Sequence, residues 1–360
     1  MKQHPYRDLP DKAFWKRAVA TPPREQVDPV GQFDLRLTPQ TKVATAGSCF
    51  AQHIARHLQG SGYTYFVAEP GHPLLSPSVR QRAGYGMFSA RYGNIYTSRQ
   101  LLQLLERAYG RYSSCEPAWF GRAGEVLDPF RPTVQPGGFI SLDEMLADRR
   151  HHLAQVRKMF EELDVFVFTL GLTECWRSRA DGAVFPICPG VEGGLFSPER
   201  YEFLNLGVDD TVEDISRFVE QLTQINPRAE IVLTVSPVPL AATAAPGAHV
   251  LSATTYSKSV LRVAAETMRH RYRNVHYFPS YEIITGAFSR GAYFADDLRN
   301  VLEAGVTHVM RLFLAHSTGM ATSAQREQPS PSVGLAATSE HVSIGQAIVD
   351  VECDESALDQ

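Results

Sequence analysis

The chain has 360 residues, 44% hydrophobic and 21% charged, with a net charge of −4 at pH 7 and a pI near 6.3. That length and balance belong to a globular protein with one large α/β domain or two smaller ones. An acidic chain without a basic stripe lacks the footprint of a nucleic-acid binder, because phosphates select clustered Lys and Arg.

Five cysteines, Cys49, Cys115, Cys175, Cys188 and Cys353, are odd in number and scattered. They match neither a disulfide framework nor a paired Cys/His zinc spacing. No apolar core follows Met1, and the longest apolar run, near Val165 to Leu170, is far too short to span a bilayer. The expectation is a cytoplasmic protein with no membrane or nucleic-acid partner, no metal and no cofactor. His53 and His57 stand four apart but lack a third ligand of matching spacing, so they read as a solvated helix face.

Residues 1–40, rich in Pro and charge, read as an extended arm. Lys42 to Gly47 form a strand that ends in a Gly-Ser turn, and Phe50, Ile54, Ala55 and Leu58 recur at helical spacing after it. Tyr63 to Val67 read as a strand. Residues 73–140 mix Pro, Gly and aromatic residues around one helix, Ser98 to Tyr109, and are expected to be an insertion that covers a pocket. A helix from Ser141 to Leu163 leads into the strand Asp164 to Leu170, whose apolar run without alternation suits burial on both faces. The alternation continues with a helix over 212–225, a strand over 231–235, a helix over 255–271, a strand over 275–278 and a helix over 303–316. The main domain is thus expected over 41–316. From 317 to 360 small and polar residues predominate, and a disordered tail is expected. Alternating strands and helices predict an α/β fold, a three-layer α/β/α sandwich around a central, mainly parallel sheet.

The turn at Gly47-Ser48 carries the chemistry. A serine between a strand and a helix presents its Oγ where the unpaired N–H groups of the first helical turn face a ligand, the geometry of a nucleophile beside an oxyanion site. Its bland alternative is a helix N-cap. Cys49 is a rival nucleophile at the same helix start, but its side chain points about 100° round from that of Ser48. In open parallel sheets ligands bind at the carboxyl ends of strands. Ser48, Gly171 to Glu174, Ser236 to Leu240, and Asp296 with Asp297 each follow a strand, so all four sets are expected on one rim.

Gly47-Ser48-Cys49-Phe50-Ala51 spells the signature of the GSCFA family, a branch of the SGNH (GDSL-like) hydrolase superfamily. Met87 to Tyr96, Thr169 to Glu174, Val235 to Pro239, Tyr256 to Lys258 and Tyr277 to Glu282 resemble further family segments in family order, over roughly residues 40–315. The resemblance implies an SGNH hydrolase-like, flavodoxin-like fold. It also implies a serine esterase or acyltransferase acting on O-acyl groups, O-acetyl on a carbohydrate being the expected substrate. Ser48 is then the nucleophile, selected over Cys49.

Two positions depart from the superfamily pattern. Gly171-Leu172-Thr173-Glu174 stands where Gly-x-Asn-Asp is usual, so Thr173 replaces the oxyanion-binding amide, and Gly93 and Asn94 are candidates to compensate. Asp297-Leu298-Arg299-Asn300 stands where Asp-x-x-His is usual, and Asn300 cannot accept the serine's proton. Asp297 is the candidate orienter and the base falls to His249, in a loop after a strand, or His308, in the last helix. Lys258 and Arg299 read either as steering charges or as surface ones. A carbohydrate-binding or scaffold protein on a retired hydrolase fold is the competing expectation.

Overall fold

The computed structural model describes residues 4–48 and 50–318. Cys49, the rival nucleophile, and the tail beyond Thr318, with Cys353, lie outside the described residues.

In chain order the elements are β1 (Val43–Gly47), α1 (Phe50–Gly60), α2 (Pro77–Arg82), α3 (Ser98–Ala108), β2 (Trp119–Phe120), β3 (Val126–Leu127), α4 (Leu142–Glu162) and β4 (Val165–Leu170). There follow β5 (Glu174–Ser178), β6 (Val184–Phe185), β7 (Tyr201–Asn205), α5 (Val208–Ile225), β8 (Glu230–Val235), α6 (Val250–Arg271), β9 (Val275–Tyr277), α7 (Ser280–Thr285) and α8 (Glu303–Thr318). Strands β1, β4, β8 and β9 make a parallel sheet in that order. The strand expected at Tyr63 to Val67 contracts to a single parallel bridge between Tyr65 and Val43 on the outer edge of β1. Counting it, the order is the 2-1-3-4-5 of doubly wound folds, with the switch in winding between β1 and β4.

Both faces of this sheet are buried, and alternation along each strand sorts its residues between them. Ala44, Ala46, Phe166, Phe168, Ile231 and Leu233 pack with residues of α3, α4, α5 and α6. Val43, Val165, Val167 and Val232 pack with residues of α1, α7 and α8. The result is a three-layer α/β/α sandwich. The second face has one more cover: Val30, Phe33, Leu35 and Leu37 of the N-terminal arm join the same apolar cluster. Backbone contacts fix the arm there, from Leu37 N–H to the Ser317 carbonyl at 2.8 Å and from the Arg36 guanidinium to that of His316 at 2.9 Å. Nearer its start the arm is wound rather than extended, with single turns at Asp11–Ala13, Lys16–Ala20 and Arg24–Gln26.

Helix α6 begins five residues before the expected 255, because His249 caps it: its Nδ1 accepts the Leu251 N–H at 3.2 Å. The segment 174–205 holds a second sheet, antiparallel in the order β6-β5-β7, which the sequence reading does not contain.

A buried ion network ties the insertion to the body. Asp128 accepts from Arg131 Nε at 2.9 Å and Arg149 Nη2 at 2.7 Å, and Asp148 accepts from Arg91 and Arg131 at 2.9 and 2.8 Å. Beside it, Glu69 Oε2 accepts the Arg91 N–H at 2.7 Å and the His152 Nδ1–H at 2.8 Å. Burial, aided by the Arg131 charge, pushes His152 down to about 4 despite its carboxylate partner. Because the folded value lies below the ordinary 6.5, the unfolded chain takes up the proton first as pH falls. His152 should therefore cost nothing above pH 6.5 and progressively more between there and about 4. At pH 5 that is about 2 kcal/mol, at ~1.4 kcal/mol per unit. Urea midpoints at neutral and mildly acid pH would show it, and equal midpoints would contradict it.

Candidate active site

Strand β1 ends in Gly47 at φ 142°, a conformation open to glycine, and a Cβ there would stand 2.5 Å from the Thr169 carbonyl oxygen of β4. This close approach delivers Ser48 to the gap between the ends of β1 and β4, the switch point where doubly wound sheets bind ligands. The segment 94–96 crosses the same gap. Ile95 N–H donates to the Gly47 carbonyl at 2.9 Å, and the Tyr96 carbonyl accepts from Gly171 and Leu172 at 3.0 and 2.9 Å. Beneath it Ser48 is 4% exposed, and its Oγ is closed to solvent with no hydrogen-bond partner among the described residues. Leaving a buried hydroxyl unpaired costs about 1–3 kcal/mol.

Gly171 sits against Ser48: a Cβ on it would lie 3.4 Å from the Ser48 Cβ and 3.1 Å from the Tyr96 carbonyl oxygen. Its carbonyl accepts from Lys258 Nζ at 2.7 Å. Lys258 is buried, at 1% exposure, so the reading of it as a surface charge is corrected. Its spacing carried the signal, since Lys258, Leu261 and Ala265 fall at i, i+3 and i+7 on the buried face of α6. Arg299 is half-buried in the turn beyond β9.

The other expected site residues are committed elsewhere. The Thr173 hydroxyl donates to Asn205 Oδ1 at 2.7 Å and its N–H to Ser257 Oγ at 3.1 Å, which spends the proton expected to serve an oxyanion. The Glu174 carboxylate accepts from the Thr243 hydroxyl at 2.7 Å and the Ala244 N–H at 3.3 Å, pinning the loop after β8. Gly93 has φ 70° with open space about it, and Asn94 beside it is buried in the segment over the strand ends.

Neither candidate histidine reaches Ser48. His308 is buried with both ring nitrogens engaged, Nδ1 accepting from the Tyr293 hydroxyl at 2.8 Å and Nε2 donating to the Val27 carbonyl at 2.9 Å. Burial, with Arg311 nearby, lowers its pKa. It is a core residue clasping the arm. His249 is exposed and spends Nδ1 on the helix cap. Asp297 is exposed and turned onto its own loop, accepting the N–H groups of Arg299 and Asn300 at 2.9 Å each and the Asn300 amide at 2.5 Å. Burial pushes its carboxyl up, but these bonds hold it below the ordinary range. Asp296 is exposed as well. The rim thus unites Ser48, Gly171 and Ser236, which directly follow neighbouring strands, while Asp297 and both histidines make no hydrogen bond to the serine.

A cavity of about 240 Å³ opens beside this point, lined by Tyr96, Leu172, Trp176, Phe185, Phe203 and Leu240 among others. More than half of its wall comes from the segment 174–205, the second sheet and its loops, which the sequence does not announce.

Residues 42–313 match the GSCFA family, three quarters of the chain and all of the sheet. The chain belongs to the GSCFA family. No curated protein matches it. The structure gives the GSCFA letters physical roles. Gly47 allows the approach to β4, Phe50 packs α1 onto the face shared with α8, and Ala51 joins the opposite cluster with Ala44 and Ala46. Ser48 alone of the described four has a polar atom left over. Among the described residues of this GSCFA protein no helix is long and apolar enough to cross a membrane. Nor do three His, Cys, Asp or Glu side chains among them gather as metal ligands; His57 turns its Nδ1 to the His53 carbonyl.

Proposed function

We propose that this GSCFA protein is a serine-dependent esterase or O-acyltransferase of SGNH type that acts on O-acyl groups of a carbohydrate. The observation that carries the reading is the unpaired Ser48 hydroxyl at the switch point of the sheet. In the first step Ser48 Oγ bonds to the ester carbonyl carbon, the ester C–O bond breaks, and the alcohol leaves with the proton from the serine. Water or a second hydroxyl then attacks the acyl carbon, the bond from that carbon to Ser48 Oγ breaks, and the proton the attacking oxygen gives up restores Ser48 Oγ–H.

The base in this reading is Lys258, whose Nζ donates to the carbonyl of Gly171, the residue packed against Ser48, and which has to turn from that carbonyl onto the Ser48 hydroxyl when substrate binds; serine–lysine pairs perform this chemistry without imidazole. Oxyanion donors are the Ser48 and Gly93 N–H groups and the Asn94 amide, with Thr173 excluded by its bond to Asn205. Access to the buried oxygen requires the segment 94–96 to shift when substrate binds. A fluorophosphonate probe is expected to label the wild type and to spare Ser48→Ala, with Lys258→Met labelled far more slowly.

One observation favours a second reading, a carbohydrate-binding or scaffold protein on a degenerate SGNH fold. The Ser48 oxygen is closed to solvent and no imidazole reaches it. Absence of Ser48-dependent labelling over a wide pH range would select that reading.

A further inference from the structure

The cavity of about 240 Å³ begins one residue from the nucleophile of the proposed reaction. Tyr96 and Leu172 line it, and both bond or adjoin Gly171, which sits against Ser48. Its wall is aromatic and aliphatic. Several of the polar groups on it are committed to neighbours: Glu174 takes the Thr243 hydroxyl and the Ala244 N–H, and Gln100 Oε1 takes the N–H groups of Tyr96 and Thr97. Two thiols face it, and burial pushes Cys175 up to about 12 and Cys188 up to about 11, so both stay neutral and behave as small apolar groups. A sugar ring would lose its hydroxyl hydration against such a wall and find few partners. A hydrocarbon chain loses nothing there.

We infer that this cavity is the acyl pocket and that it takes a linear chain of roughly six to eight carbons, longer than the acetyl group that the family resemblance implies. The size follows from the volume, with a methylene given about the ~30 Å³ of one water. The inference rests on the serine-ester reading, so its test separates the two.

Butanamide, pentanamide and hexanamide, which cannot turn over as esters do, would be titrated calorimetrically against wild type and Ser48→Ala. In parallel, kcat/KM would be measured for 4-nitrophenyl esters of rising chain length. Affinity is expected to rise about fourfold per methylene, equally in both proteins, and kcat/KM to rise in step until the chain fills the pocket. Ala242→Trp, on the exposed edge of the lining, should abolish the gain. Val191→Trp, from another loop of the lining, repeats the test should the first variant fail to fold.

Affinity flat with chain length, or glucose competing for the cavity, would overturn the acyl pocket even if Ser48 is labelled by the probe. Amide affinity that climbs with length in a protein whose Ser48 is never labelled would support the pocket and sink the enzyme.

Discussion

Gly47→Ala is expected to cost about 3–5 kcal/mol, a large part of the 5–15 kcal/mol that holds a typical domain folded. The methyl group meets the Thr169 carbonyl oxygen at 2.5 Å and the Thr169 nitrogen at 2.9 Å, backbone atoms that no rotamer change can move aside. The φ of 142° adds strain that an alanine must bear on its own. Because Gly47 pairs with Thr169 in the register of β1 and β4, relief would require the two strands to part at their carboxyl ends. The neighbouring Ser48→Ala is the control. It removes a buried hydroxyl that has no partner, and should raise stability by up to about 1–3 kcal/mol rather than lower it. Denaturant unfolding of both variants makes the comparison, and a Gly47→Ala protein as stable as the control would show that the strand ends yield.

Asp128→Ala is expected to cost a similar ~3–5 kcal/mol, the usual result of deleting one partner from a buried ion pair. Burial alone would push this carboxyl up, but Arg131 and Arg149 reverse the effect and hold it far below the ordinary range. Removing it leaves the guanidinium groups of Arg131 and Arg149 without the carboxylate between them, Arg131 keeping its bond to Asp148. The double variant Asp128→Ala with Arg131→Met should recover part of the loss, since one of the two guanidinium groups that Asp128 held is then gone and Arg149 alone is left without it. A double variant no better than the sum of its parts would refute the coupling. The same variants should loosen residues 73–140, which hydrogen exchange would detect as faster opening of the segment around Asp128.

The central sheet was legible because its strands are buried on both faces, which leaves runs of β-branched and apolar residues without alternation, such as Val165 to Leu170 and Ile231 to Val235. The position of Ser48 was legible too, since strand, glycine, serine and helix follow one another in the chain. The second sheet was not. Its β5, Glu174-Cys175-Trp176-Arg177-Ser178, is half-buried and polar in parts, and it gains its register from Trp176 opposite Phe203, twenty-seven residues on. Gly171, expected on the rim, does lie against Ser48, but a base for the serine was illegible for a related reason. Motif spacing pointed to Asp297 and a histidine, whereas proximity is set by packing across elements, which brought the carbonyl partner of Lys258 to the serine instead. His249 was read as a free loop residue because the helix start was placed at 255, past its true cap.

The N-terminal arm gives the sandwich an unequal border. The match to the family begins at Lys42, yet Phe33 packs edge-on to Phe278 and Phe313 and Val27 clasps His308. One face of the sheet is therefore roofed in part by a stretch that lies outside the matched residues. A boundary drawn at residue 42 would cut through the wall of the house, since it removes the side chains that close this face.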